Sequence, residues 1–184
     1  MVDGQVYHFN PENRSRSVNA IGIFPFIMIA QLKPTLTKSL PSLAMPTLHT
    51  ALAPLLPSKQ NSFLSVRVDG VFSQVAFRMI PAPPREQQPL FDLLRRQRLQ
   101  SAHNVRGLLF GFWSPGCSNG FSVAGFHLHF ISDDRTAGGH VTGFEAWDVK
   151  LSAGVLKEYG AELPQDEDFL EAVIRNYEED QNLR

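Results

Sequence analysis

The feature that most constrains the fold is a run of β-forming residues broken by one turn-forming pair. Phe63-Leu64-Ser65-Val66-Arg67-Val68 and Val71-Phe72-Ser73-Gln74-Val75-Ala76-Phe77-Arg78 alternate apolar and polar side chains around Asp69-Gly70. Alternation of period two buries one face of a strand, and an Asp-Gly pair is a favoured two-residue turn. The segment from Ser62 to Ile80 therefore predicts a hairpin, closed by the prolines at 81, 83 and 84.

Further strands are expected downstream. Val105–Trp113 reads as a buried strand, and Ser122–Ile131 as the next. Residues 132–139 read as a turn, with His140–Lys150 as the returning strand. Upstream, Gln5–Phe9 reads as a strand wanting a partner before it, and Ile21–Leu32 as a buried strand interrupted by Pro25. Helices are fewer. Leu90–Leu99 has an amphipathic pattern, Thr47–Leu56 a short helical one, and the acids at 166–168 suit the positive end of a last helix. Strands thus outnumber helices, in one domain over residues 1–184.

The charge balance narrows the function. Seventeen Lys and Arg against eighteen Asp and Glu give a net charge of −1, without the basic excess of a general nucleic-acid or membrane-surface binder. A single cysteine, Cys117, excludes an intrachain disulfide framework and fits a reducing, cytoplasmic setting. The opening residues lack the basic and apolar segments of a secretory signal, and the apolar stretch at 21–32 is too short to span a bilayer. Acids are unevenly placed. None occurs between 13 and 68, whereas Glu158 onward carries nine acids and two arginines, read as a solvated helix face and tail.

The chemistry concentrates at Gly125-Phe126-His127-Leu128-His129-Phe130-Ile131-Ser132-Asp133-Asp134-Arg135-Thr136-Ala137-Gly138-Gly139-His140. On a strand His127 and His129 share one face, while Phe126, Leu128 and Phe130 take the other. His140 joins that face if opposed residue numbers across the turn sum to an odd value, as in pairing of His140 with His129 or with Ile131. Three imidazoles on one hairpin can bind Zn²⁺ and leave positions open for substrate. His8, His49 and His103 are isolated and read as ordinary surface or loop residues. Asp133, Asp134 and Arg135 read as turn-shaping residues, or as partners that orient an imidazole. An H-x-H pair also occurs in cupins, which keeps a metal-dependent oxygenase open on the histidines alone.

Several landmarks, in order, resemble the alpha-acetolactate decarboxylase family. Gly111-Phe112-Trp113-Ser114-Pro115 matches its GFWxP element. Gly125 to Arg135 and Gly138-Gly139-His140-Val141 match its GxHLHFxSDDR…GGHV signature, and Arg78-Met79-Ile80-Pro81 stands at its R-x-V-P segment. The resemblance is dense from 61 to 145 and weak from 33 to 60. It implies an α/β (α+β type) fold of mixed and antiparallel sheets in two closely joined halves, with the zinc site on a β-hairpin, and a homodimer. It also implies zinc-dependent conversion of 2-acetolactate to acetoin and CO2, with zinc ligands His127, His129 and His140 and an active-site Arg78. The family's GTF and D-G-E elements, the latter with a catalytic glutamate, have no counterpart in this sequence, where Asp3-Gly4-Gln5-Val6-Tyr7 aligns with a later element. The expectation is thus a shortened member, with two alternatives: a catalytically impaired or non-catalytic metal-binding relative, or a truncated gene model. A second family glutamate, in an I-x-x-x-E context, corresponds to Glu178, with a solvated tail residue as the alternative reading.

Overall fold

The computed structural model describes residues 4–9, 15–18, 27–56, 61–80, 96–119, 121–163, 165 and 167–171. Seven strands are seen: β1 (Val6–Phe9), β2 (Ser15–Val18), β3 (Leu36–Ala44), β4 (Phe63–Met79), β5 (Arg98–Ser114), β6 (Gly125–Ser132) and β7 (Gly138–Leu156). Helix α1 (Met45–Ala51) follows β3 and α2 (Glu167–Glu171) comes last. Every pairing between these strands is antiparallel, so the mixed component expected of the sheets is not found among the described residues. The described strands form one five-stranded sheet and a separate two-stranded ribbon.

The sheet order is β3-β7-β4-β5-β6, and β6 also pairs with the start of β7. Strands β4, β5, β6 and β7 therefore close into a ring. One side of these strands forms the core, where Phe72, Phe77 and Phe130 are fully buried beside Phe144. Phe72 meets both Phe130 and Phe144 edge to face, with ring centroids 4.9 and 5.9 Å apart, a favoured geometry for aromatic pairs. Helix α1 has Pro46 in its first turn, where a missing N–H costs nothing, and buries Leu48. The Ala44 N–H donates to Thr47 Oγ1 there.

Several sequence expectations are corrected. Asp69-Gly70 is not a turn; β4 runs through it for 17 residues. Strand β5 pairs continuously past this point, with Asp69 opposite Leu108 and Gly70 opposite Gly107. The irregularity appears only against β7, where the register shifts between Asp69 and Val71. The Asp-Gly pair thus makes a bulge, because hydrogen bonding on both edges outweighs a local turn preference. A Cβ on Gly70 would lie 3.2 Å from the Trp147 carbonyl oxygen, so glycine here serves close approach.

Strand β1 pairs with β2, which follows it in the chain. Residues 27–32 of the expected 21–32 strand form no strand, and Ile27 and Ile29 are exposed; residues 21–26 lie outside the described residues. Of the expected 90–99 helix, 90–95 lie outside the described residues, while Arg98 and Leu99 belong to β5. The short helix expected at 47–56 is found two residues earlier and ends at Ala51.

Candidate metal centre

The hairpin of β6 and β7 brings the three histidines together. His129 pairs directly with His140, so the register takes the odd sum that places His140 on the face of His127 and His129. One ring nitrogen from each of the three lies within 4.8 Å of the others. The Nε2 atoms of His127 and His129 are 3.2 Å apart, and the His140 ring stands nearly perpendicular to both. This group can hold a metal ion.

The connection works differently from a simple Gly-Gly turn. Asp134 shapes it: its carboxylate accepts hydrogen bonds from Ser132 Oγ and from the Thr136 amide and hydroxyl. These bonds hold the Asp134 carboxyl below its usual range, the Ser132 bond most strongly. Arg135 takes the left-handed conformation (φ 62°) and donates to the Ser132 carbonyl. The two glycines allow close approach instead. A Cβ on Gly138 would meet the Phe9 ring at 2.5 Å, and one on Gly139 the Phe77 ring at 2.8 Å. Gly111 does the same beneath β6, where a Cβ would collide with the His127 carbonyl oxygen and reach Leu128 Cα at 2.9 Å.

Register also brings in Arg78. His140 pairs with His129 on one side and with Arg78 of β4 on the other. Direct partners in an antiparallel sheet point to the same face. Arg78 Nη2–H donates to His140 Nε2 at 3.3 Å, and Nη1–H to Gln97 Oε1 at 3.3 Å. Arg78 Nε is buried with no hydrogen-bond partner among the described residues, a donor that a ligand oxygen can satisfy.

The electrostatics favour neutral imidazoles. Burial, reinforced by His140, His127 and Arg78, pushes His129 down to about 3. Burial, then Arg78 and His127, pushes His140 down to about 4. Burial and then Arg78 lower His127 as well. A neutral ring keeps a lone pair for a metal near neutral pH.

His8, His49 and His103 stay outside this cluster. His49 packs against Trp113 with ring centroids 5.2 Å apart, and His103 lies 3.2 Å from Ser101 Oγ. Glu178 lies outside the described residues. Gln97 was not found from the sequence, because its neighbours read as helix.

The sequence profile of the alpha-acetolactate decarboxylase family matches residues 1–176. The chain belongs to the alpha-acetolactate decarboxylase family. It is 27% identical over 177 residues to the alpha-acetolactate decarboxylase of Bacillus licheniformis, covering 96% of this chain and 70% of that protein. It is 33% identical over 181 residues to that of Methanosarcina mazei, covering 97% of this chain and 62% of that one. Among solved structures, acetolactate decarboxylase from Bacillus subtilis subspecies spizizenii superposes with a TM-score of 0.88 at 27% identity, over 98% of this chain and 78% of that chain. A Staphylococcus aureus protein described as similar to alpha-acetolactate decarboxylase gives 0.87 at 30% identity, over 94% and 75%. The sheet-rich fold is thus that of the family.

Proposed function

We propose that this chain is a zinc-dependent carboxy-lyase that converts 2-acetolactate to acetoin and CO2. The observation that carries this reading is the convergence of three neutral imidazoles with the Arg78 guanidinium on one face. Tetrahedral zinc, with Zn–N bonds of about 2.0–2.1 Å, sets its nitrogens roughly 3.3 Å apart. The 3.2 Å separation of the His127 and His129 Nε2 atoms fits that spacing. Bound there, zinc supplies Lewis acidity toward the substrate's oxygens.

The chain's own residues do the rest. His127, His129 and His140 would hold the metal, each offering one ring nitrogen. Arg78 holds the substrate's anionic end in its planar fork, using the Nε–H that has no partner among the described residues. In decarboxylation the bond between C2 and the carboxylate breaks, CO2 leaves, and the electron pair remains on C2, delocalised onto the neighbouring carbonyl. A proton must then reach that carbon from a positioned acid. Glu178, outside the described residues, is proposed as a catalytic residue beside Arg78. A homodimer and a cytoplasmic setting complete the reading. Among the described residues, no helix is long and apolar enough to cross a membrane.

The test is acetoin formation by the zinc-loaded protein supplied with 2-acetolactate. Production well above the spontaneous rate, abolished by chelation and restored by zinc, supports the reading. Zinc bound at one per chain with no acetoin above the spontaneous rate overturns it, leaving a metal-binding relative.

A further inference from the structure

The histidines sit in the middle of a row that runs around the ring of strands. By register the row reads Arg78 on β4, His140 on β7, His129 on β6, Phe110 on β5 and then Arg67, on β4 again. Directly paired residues share a face, so Arg78 and Phe110 flank the histidines from opposite sides. Both flanks are close. Arg78 lies 3.3 Å from His140 Nε2, and the Phe110 ring centroid lies 6.3 Å from that of His129. Phe112, opposite His127, extends the apolar flank.

Beyond Phe110, away from the histidines, a cavity of about 430 Å³ lies between β4, β5 and the segment at 27–32. Its walls are mostly apolar and include Leu108, Phe110, Phe112, Ile27 and Ile29. Among its described lining residues the cation is Arg67, held by the Asp69 carboxylate through Nε and Nη2 at 2.8 and 2.6 Å. The Arg67 charge is thus met within the protein, whereas Arg78 meets the neutral Gln97 and His140. The row therefore runs from a cation available to a carboxylate, across the metal ligands, to an aromatic wall with apolar space behind it.

We infer that Phe110 is a specificity-determining residue, the wall that limits the alkyl substituent of a 2-hydroxy acid whose carboxylate lies toward Arg78. This rests on the reading of the site as a decarboxylase for such acids. A substrate spanning the histidines with its anionic end at Arg78 directs its apolar end at Phe110. Truncating Phe110 joins the site to the cavity and admits larger substituents.

The experiment uses binding, so that it does not depend on turnover. Affinities of 2-hydroxy-2-methylpropanoate and 2-ethyl-2-hydroxybutanoate, which differ by two methylenes, are measured by calorimetry on the zinc-loaded protein. The wild type is expected to favour the smaller acid. Phe110→Ala is expected to shift the ratio of affinities toward the larger acid by at least about tenfold, the order associated with one or two methylenes in a shaped pocket. Phe110→Leu is expected to shift it less in the same direction, and serves if the alanine variant does not fold. Zinc stoichiometry checks that each variant retains the site. An unchanged ratio in a variant that binds one zinc overturns the inference. Absence of acetoin formation alongside the expected ratio shift would instead overturn the decarboxylase reading and leave the role of Phe110 standing.

Discussion

Two segments of this chain carry the same punctuation, an aspartate and glycine between β-forming runs, and the structure treats them in opposite ways. At Asp69-Gly70 the chain runs straight through β4, while between β6 and β7 it reverses and brings His140 beside His129. The difference lies in what flanks each segment. Strand β4 is central, paired with β5 on one edge and β7 on the other, so a reversal there would forfeit two ladders. Between β6 and β7 the residues at 133–136 have no such double pairing, and Asp134 supplies local hydrogen bonds that stabilise the reversal. Local turn chemistry decides the path only where no ladder competes with it.

The sharpest way to test this contrast is to remove a side chain from each segment. His129→Ala is expected to lower metal affinity by more than about 100-fold, the upper range seen for groups that merely support a ligand, and to abolish activity. Metal titration and an acetoin assay check it. Asp69→Ala, on the straight segment, is expected to leave the metal stoichiometry unchanged.

Acid titration distinguishes the regions next. His129 and His140 are held neutral in the fold down to about 3 and 4, whereas an unfolded histidine binds its proton near its ordinary value of about 6.5. Below that value the unfolded state carries more protons, so the metal-free protein is expected to lose stability as pH falls from about 6.5 toward 4. Denaturant midpoints of the metal-free protein across that range measure the effect. His129→Ala is expected to flatten the dependence, and an unchanged slope in that variant would contradict the origin assigned to it.

Glycine substitutions give the smaller effects. Gly111→Ala places a methyl group against the His127 carbonyl and the Leu128 backbone. Overpacking of this kind costs about 1–3 kcal/mol, and because it displaces β6 it is expected to weaken metal binding together with stability. Gly70→Ala meets its nearest atoms only at 3.2 to 3.4 Å. It is expected to cost less than about 1 kcal/mol, since no left-handed conformation is required there. Thermal melts of the two variants rank them. A larger loss for Gly70→Ala would show that the Trp147 backbone beside Gly70 yields less than the β6 backbone beside Gly111.

Much of the site was legible in the chain, and for a physical reason. A strand repeats every two residues, so His127 and His129 had to share a face, and parity across the turn allowed His140 to join them only in certain registers. The pairing of His129 with His140 is one of those. Arg78 stands 49 positions before His127 and became part of the same geometry through β7, which links β4 to β6. Its neighbour Gln97 was not legible, because the contact depends on where the chain re-enters the sheet after residues 81–95.

The sequence by itself determined which side chains have the chemistry for a metal site and the face that His127 and His129 share. Both follow from residue type and local periodicity, while the family resemblance rested on motifs in order along the chain. The tertiary structure decided that Asp69-Gly70 bulges and that the Gly138-Gly139 pair yields space to Phe9 and Phe77. It also placed Arg78 and Phe110 on opposite flanks of the histidines. Those outcomes depend on which strands lie beside one another around a closed ring, and partners far apart in the chain set them.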